Sequence, residues 1–201
     1  MAKFSKKEAI NFGFEKAKSN WQFFIPVVLI AVLVNFSPRL DFKLPATGAI
    51  ALAIALAIGF WILRLVVEIG LITISLKFVD NKKAELADIL TYKPLVNYAL
   101  GSVLYGLIVV AGLILLIVPG IIWAIKLQYY SYLIIDKNLG PIAALKKSWK
   151  ITKGVKWHLF LFALLLGLIN ILGVLMLGVG LFITIPTTMI ASAYVYRKLS
   201  S

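Results

Sequence analysis

The sequence predicts an all-α, polytopic membrane protein, and its composition, its long uncharged windows and its charge distribution each indicate that class. Hydrophobic residues make up 62% of the 201 residues and charged residues 14%, whereas soluble globular domains contain about 45–50% and 25%. A chain this apolar cannot stay solvated, so the composition excludes a disordered protein as well as an ordinary soluble one. We therefore expect one membrane domain over residues 1–201.

Six membrane helices are predicted from the uncharged windows. A crossing needs about 20 mostly apolar residues, because the hydrocarbon layer is about 30 Å thick and a helix rises 1.5 Å per residue. Two of the windows are too long for one crossing, and turn residues divide them at Pro119-Gly120 and at Gly178-Val179-Gly180. The predicted membrane helices cover residues 21–36, 46–65, 95–118, 121–135, 157–177 and 181–196. Taken in pairs, they form three hairpins.

The basic residues agree with an even number of crossings. There are 21 Lys and Arg against 8 Asp and Glu, which gives a formal net charge of +13. Six crossings place nearly all of these basic residues on one side, and only Arg39 and Lys43 on the other. Cytoplasmic flanks of membrane helices are enriched in Lys and Arg. We therefore expect a multi-pass protein of the cytoplasmic membrane with both termini in the cytoplasm.

Amphipathic helices are predicted on the inner leaflet between the hairpins. Residues 1–20 and 140–153 combine lysines with apolar side chains and lead into Trp21 and Trp157, as helices that lie in a membrane interface do. Residues 84–94 form a shorter version, which suggests one unit used three times; ordinary connectors of a multi-span protein are the alternative. The candidate contacts to anionic lipid are Lys16, Lys18, Lys146, Lys147, Lys150 and Lys153. No nucleic-acid reader motif accompanies the charge, so the expected partners are membrane lipids of the anionic inner leaflet, with a membrane protein partner or a second copy also open.

Four polar residues form a candidate intramembrane site: Arg64, Glu68, Lys126 and Gln128. Arg64 and Glu68 are four residues apart and can pair on one helix face. The pair lies at the inner interface if residues 46–65 cross the membrane, which we favour, and near mid-membrane if residues 56–76 do. Lys126 is expected to face inward and reach Glu68, or else to extend its ammonium outward from a thin region.

The sequence contains no recognisable catalytic or metal-binding motif. The chain has no cysteine and one histidine, His158, so a histidine pair cannot hold a metal. Glu85 and Asp88 share a helix face without a third ligand, and we interpret them as a solvated surface. We expect no catalytic residues, no metal, no cofactor and no enzymatic activity.

The C-terminal part of the chain also carries a family resemblance. The segments concerned are Ile117-Val118-Pro119-Gly120-Ile121, Ile135-Asp136, Ala143-Ala144-Leu145-Lys146-Lys147-Ser148-Trp149, Thr152-Lys153-Gly154 and Gly178-x-Gly180. With these segments the chain resembles a broad set of uncharacterised bacterial and archaeal integral membrane proteins, similar to the membrane domain that accompanies some glycerophosphodiester phosphodiesterases. The resemblance covers about residues 75–198 and includes no phosphodiesterase catalytic domain. It implies a six-helix membrane module associated with lipid or envelope functions.

Two functions follow as expectations. The first is a non-enzymatic membrane module that engages lipids or a partner through its basic inner-leaflet helices. The alternative is a small transporter or lipid-translocating protein that uses Arg64, Glu68 and Lys126 in a polar route.

Overall fold

The computed structural model describes residues 4–35, 48–176 and 178–201, and the regular structure in these ranges is entirely helical. This confirms the all-α class. Arg39 and Lys43, predicted for the side opposite the other basic residues, lie outside the described residues. The helices are α1 Lys6–Ser19, α2 Trp21–Asn35, α3 Gly48–Val79, α4 Leu95–Leu115, α5 Ile117–Leu127, α6 Tyr130–Lys137, α7 Pro141–Ile151, α8 Lys156–Leu175 and α9 Leu181–Ser200, with a short 3-10 helix at Leu86–Leu90.

Three helices of the described residues are long and apolar enough to cross a membrane. They are α4, α8 and the stretch Ala51–Val79 of α3. The pair α1–α2, which is bent by 100°, adds a fourth if it counts as one crossing. These lengths and compositions support a membrane-associated protein. The arrangement of six crossings in three hairpins stays a prediction.

The predicted helix over residues 121–135 is in fact two helices, and this corrects the sequence analysis. α5 has 11 residues and α6 has 8, and the chain breaks between them at Gln128-Tyr129. Neither piece alone could cross about 30 Å of hydrocarbon. The break depends on hydroxyl groups of α7, which is far away in sequence, so local periodicity could not reveal it.

The reversal predicted at Pro119-Gly120 lies a few residues earlier. Leu116 adopts an extended backbone with φ −166° between α4 and α5, and Pro119 and Gly120 belong to the first turns of α5. A Cβ atom on Gly120 would overlap Leu113 of α4, and one on Gly112 would lie 2.9 Å from the Cα atom of Gly120. These glycines therefore let the two helices of the hairpin approach closely, and the turn itself does not use them.

Other predicted helices are close to those observed, with shifted ends. α2, α4, α8 and α9 correspond to predicted crossings, and α1 and α7 to the predicted amphipathic helices. The predicted helix over 46–65 continues to Val79, so α3 has 32 residues and measures about 48 Å. In the described part of α3, residues 51–64 are exposed on all sides, and buried positions begin at Leu65. Arg64 therefore marks the change from the unpacked to the packed half of this helix.

α9 occupies the centre of the bundle and packs against α1, α2, α3 and α8. Its buried face includes Thr187, Ala191, Val195 and Tyr196. α1 lies against it through Ala9, Gly13 and Ala17, and a Cβ atom on Gly13 would overlap the carbonyl oxygen of Thr187. The small residues of α1 thus face protein, a contact that the lysine-rich pattern of residues 1–20 did not predict.

The connector after α3 packs back on that helix. The Lys77 ammonium pairs with the Asp88 carboxylate at 2.6 Å, and the same carboxylate accepts a hydrogen bond from the backbone N–H of Glu85. A Cβ atom on Gly70 of α3 would overlap the backbone of Ile89. Asp88 is therefore a structural ion-pair partner and cap, which corrects its interpretation as part of a solvated surface. Within residues 84–94 the helix that precedes α4 is only the five-residue 3-10 helix Leu86–Leu90.

Candidate functional site

Two hydroxyl groups of α7 hold the break between α5 and α6. Ser148 and Thr152 both have an exposed fraction of 0%. The Ser148 hydroxyl donates a hydrogen bond to the carbonyl oxygen of Lys126 at 2.9 Å, and its Oγ accepts one from the backbone N–H of Tyr129 at 3.2 Å. The Thr152 hydroxyl shares its hydrogen between the same Lys126 oxygen, at 3.0 Å, and the carbonyl oxygen of Ser148, at 2.8 Å. A break in a helix leaves backbone groups without partners, and buried groups in that state cost about 1–3 kcal/mol each. α7 supplies those partners and is thereby docked in one orientation.

Lys126 and Gln128 lie at this break, but Lys126 does not reach Glu68. The Lys126 ammonium lies over the Trp149 ring, 3.6 Å from its centroid, a contact that attracts a cation to the face of an indole. The Gln128 side chain donates a hydrogen bond to the carbonyl of Ile125 in the last turn of α5. The predicted pairing of Lys126 with Glu68 is therefore wrong, because α7 places an aromatic partner over the ammonium.

Arg64 and Glu68 form the predicted ion pair, with 3.1 Å between Nε and Oε1. Tyr98, at the start of α4, donates a hydrogen bond to the other oxygen of Glu68 at 3.2 Å. The side chains of Arg64 and Glu68 are 57% and 35% exposed, so the pair lies at the outer surface of the bundle. The candidate site of four residues thus separates into two places, one at Glu68 and one at Lys126.

Tyrosines pack against one another in two groups within the bundle. Tyr105 stacks on Tyr130 with 5.0 Å between ring centroids, and Tyr98 lies next to Tyr130 at 6.4 Å. A second group follows, in which Tyr132 stacks on Tyr196 at 5.2 Å and Tyr129 contacts both rings. Tyr129, Tyr130 and Tyr132 stand out in the sequence, but their partners come from α4 and α9. Apolar ring faces inside a bundle are typical of packing, and aromatic pairs contribute about 0.5–1.5 kcal/mol each.

An ion-pair network at the C-terminal end of α9 was missed by sequence reasoning. The Arg197 guanidinium contacts both oxygens of Asp80, at 2.9 and 2.7 Å, and Asp136 of α6 at 2.7 Å. Tyr196 donates a hydrogen bond to the same Asp136 carboxylate at 2.7 Å. Burial alone would lower the pKa of Arg197, but its bonds to Asp80 and Asp136 dominate and raise the pKa. One guanidinium thereby ties α6 and α9 to the chain just after α3.

The predicted lipid-contact lysines fall into two groups. On α7 and just after it, Lys146, Lys150 and Lys153 are exposed and Lys147 is partly buried. Among the described residues none of these four forms an ion pair. On α1, Lys18 is exposed, but the Lys16 ammonium donates a hydrogen bond to the Asn81 side chain at 2.7 Å. Lys16 therefore has a structural partner, whereas the lysines of α7 do not.

The exposed face of α7 combines positive charge with apolar side chains. Ile142, Lys146, Trp149 and Lys150 follow at helical spacing, and Ile142 is 62% exposed. Lys153 and the exposed Trp157 extend this surface to the start of α8. We call these six residues the lysine–tryptophan surface. Such a mixture of lysines and large apolar side chains is typical of a helix that lies at a membrane interface.

In the described ranges, no three His, Asp or Glu side chains form a group that could hold a metal ion. His158, the third residue of α8, is exposed.

Comparison with known proteins identifies a family without an assigned activity. The model of the family described as "Protein of unknown function (DUF975)" matches residues 44–201. No curated protein and no solved structure gives a significant match. The matched range contains the helix break, the lysine–tryptophan surface and the Arg197 network. Because the match covers well over half of the sequence, the chain belongs to this uncharacterised family, DUF975.

Proposed function

We propose that this protein is a non-enzymatic membrane module that binds anionic phospholipid headgroups at one membrane face through the lysine–tryptophan surface. The observation that carries the proposal is a set of exposed lysines, without carboxylate partners among the described residues, beside Ile142, Trp149 and Trp157. Near an anionic leaflet each such lysine contributes about 1 kcal/mol. Tryptophans at the same surface anchor at headgroup level.

The rigid docking of α7 supports this function. Ser148 and Thr152 hold the helix to the backbone of Lys126, and the opposite face of α7 carries the lysines. A surface held in one orientation loses less side-chain and backbone freedom when it binds. The exposed apolar stretch of α3 ends at Arg64, which favours a membrane boundary at the Arg64–Glu68 pair. With six crossings, this boundary is the cytoplasmic one.

The test uses lipids that co-purify with the full-length protein. The protein is reconstituted in vesicles of phosphatidylglycerol and phosphatidylcholine in equal parts, extracted, and its retained lipids are quantified by mass spectrometry. We expect enrichment of phosphatidylglycerol, and we expect Lys146→Gln/Lys150→Gln/Lys153→Gln to reduce it strongly. At about 1 kcal/mol per lysine, the three substitutions together weaken binding roughly a hundredfold.

A matched control separates the surface from net charge. Lys7→Gln/Lys82→Gln/Lys83→Gln removes the same charge from exposed positions on α1 and on the connector after α3, and it should keep the enrichment. An equal loss in both variants, or no enrichment in the natural protein, contradicts the proposal. A relation of residues 75–198 to the membrane domain that accompanies some glycerophosphodiester phosphodiesterases would fit a lipid-related role.

Transport or lipid translocation is a second candidate function, and the Arg64–Glu68 pair is the observation that favours it. An ionisable pair in a helix of this apolarity is a functional-site hypothesis by default. The helix break adds less support, because its Lys126 carbonyl and Tyr129 N–H already have partners in α7. Flux of a lipid or solute across vesicles that disappears in Glu68→Gln, with lipid enrichment unchanged, would favour this function over the first.

A further inference from the structure

An apolar groove lies between α5 and the start of α8, outside the two places described above. Its lining residues are Val118, Ile121, Ile122, Ile125, Lys156, Trp157 and Phe160. Its volume is about 150 Å³. The α5 residues recur at helical spacing over eight positions, or about 10 Å of helix. The apolar lining favours contact with an apolar group.

One end of this groove is positively charged. Lys156 is the only charged residue of the lining, and within the described ranges its ammonium has no carboxylate partner. It lies near the Trp157 ring, 5.7 Å from the ring centroid. Lys156 is also the first residue of α8, where no side chain caps the helix, so the field of the helix end adds to the preference for an anion.

Chain connectivity places this charged end beside the helix break. Thr152 is bonded to the carbonyl of Lys126, and Lys156 follows Thr152 by four residues. The groove therefore begins at Lys156 and Ile125 and continues along α5 toward Val118. Both Trp157 and Val118 are more than 60% exposed, so the groove is open along its side to whatever surrounds the helices.

We infer that this groove holds one acyl chain of an anionic phospholipid, with the lipid phosphate at the Lys156 ammonium. The inference rests on the proposed function and names one binding position within it. The groove presents apolar side chains along its length and a positive lysine at one end. A phospholipid is complementary to it, because its acyl chain is apolar and the phosphate at one end is negative. A tryptophan at the junction matches the headgroup level, where indole rings prefer to lie.

Two substitutions test the two halves of this site. Lys156→Gln removes the charge and keeps a polar, slightly shorter side chain, and Ile122→Trp fills the groove. In native mass spectrometry of the full-length protein titrated with phosphatidylglycerol, we expect each variant to bind one lipid fewer at low lipid concentration. The affinity for that lipid should fall about fivefold to tenfold in Lys156→Gln and by more in Ile122→Trp.

Each substitution has a matched control. Ile117→Trp adds the same bulk at an exposed position of α5 outside the groove, and Lys83→Gln removes one charge from an exposed position on the connector after α3. Both should keep the tightly held lipid. A photoactivatable group at the end of the acyl chain should label residues 118–125 or 156–160 in the natural protein.

The outcomes separate this site from the surface proposed above. If Lys156→Gln and Ile122→Trp bind as the natural protein does, or if the Ile117→Trp control loses the lipid equally, the groove site is overturned. Loss in Lys156→Gln alone also overturns it, because a headgroup contact without an acyl chain in the groove is then enough. If the groove variants lose one lipid while Lys146→Gln/Lys150→Gln/Lys153→Gln keeps full phosphatidylglycerol enrichment, the groove site stands and the proposed function of the α7 surface fails.

Discussion

The Thr152 hydroxyl donates a hydrogen bond to the carbonyl oxygen of Lys126 at 3.0 Å, across 26 residues of sequence. This bond and its neighbour from Ser148 connect a short amphipathic helix to a gap between two apolar ones. They join the apolar helix α5 to the basic surface of α7 that we propose to bind lipid.

Loss of these hydroxyls should destabilise the protein. Ser148→Ala and Thr152→Val each remove a buried partner of the broken helix, and we expect each to lower the free energy of unfolding by about 1–2 kcal/mol. Thermal unfolding in detergent, followed by circular dichroism, measures the effect. Ser75→Ala is the control, because Ser75 is equally buried but bonds only to a carbonyl of its own helix. Equal losses in all three variants would show that the break is not a special site.

Arg197→Gln should loosen the end of the bundle. It removes the hydrogen bonds to Asp80 and Asp136, leaving, among the described residues, Asp136 without a cation and Asp80 with only the exposed Lys82 ammonium at 3.9 Å, so we expect a loss of about 2–3 kcal/mol. Arg197→Lys should restore only part of it, since an ammonium lacks the fork that binds a carboxylate through two parallel bonds. The exposed neighbour Lys198 provides the control, and Lys198→Gln should change the unfolding temperature little. Full rescue by Arg197→Lys would mean that charge alone matters.

Gly13→Ala should detach α1 from α9. The added Cβ atom would overlap the backbone oxygen of Thr187, a group that cannot rotate away, so the helix must shift. Gly167→Ala in α8 adds the same atom where nothing lies within 4 Å and should be neutral or stabilising by up to about 1 kcal/mol. Limited proteolysis of the N-terminal segment, compared between the two variants, reports the detachment. Equal protection of both would show that α1 is not held by this contact.

Glu68 and Lys126 should behave as independent residues. Their partners are Arg64 and Tyr98 for the carboxylate and Trp149 for the ammonium. In a double-mutant cycle of Glu68→Gln and Lys126→Gln, the unfolding free energies should add within about 0.5 kcal/mol. The cycle of Lys126→Gln with Trp149→Leu should show a coupling of about 0.5–1 kcal/mol. A large coupling in the first cycle would restore the charge pairing between them that the sequence analysis expected.

Local patterns predicted the helices and their class well. The uncharged windows correspond to α2, α3, α4, α8 and α9, because apolar content and helix length are properties of neighbouring residues. The pairing of Arg64 with Glu68 was also predictable, since four residues of helix bring both side chains to one face. The break at Gln128-Tyr129 was not, because its stability comes from hydroxyls about 20 residues away.

The candidate site was predicted less completely for the same reason. The lysines of α7 were identified as a basic face, but a sequence does not show which lysine has a partner, and Lys16 proved to be bonded to Asn81. The Arg197 network joins residues as far as 117 positions apart. A charge pair of that separation leaves no periodic signal along the chain.

The sequence by itself determined the all-helical class, the apolar lengths suited to a membrane and the excess of positive charge, since these depend only on composition and on near neighbours. Only the tertiary structure decided which polar groups are partnered: Ser148 and Thr152 with the Lys126 backbone, Lys126 with Trp149, and Arg197 with Asp80 and Asp136. The physical reason is that a polar group inside an apolar bundle must find a partner, and the packing of distant helices determines which partner is within reach.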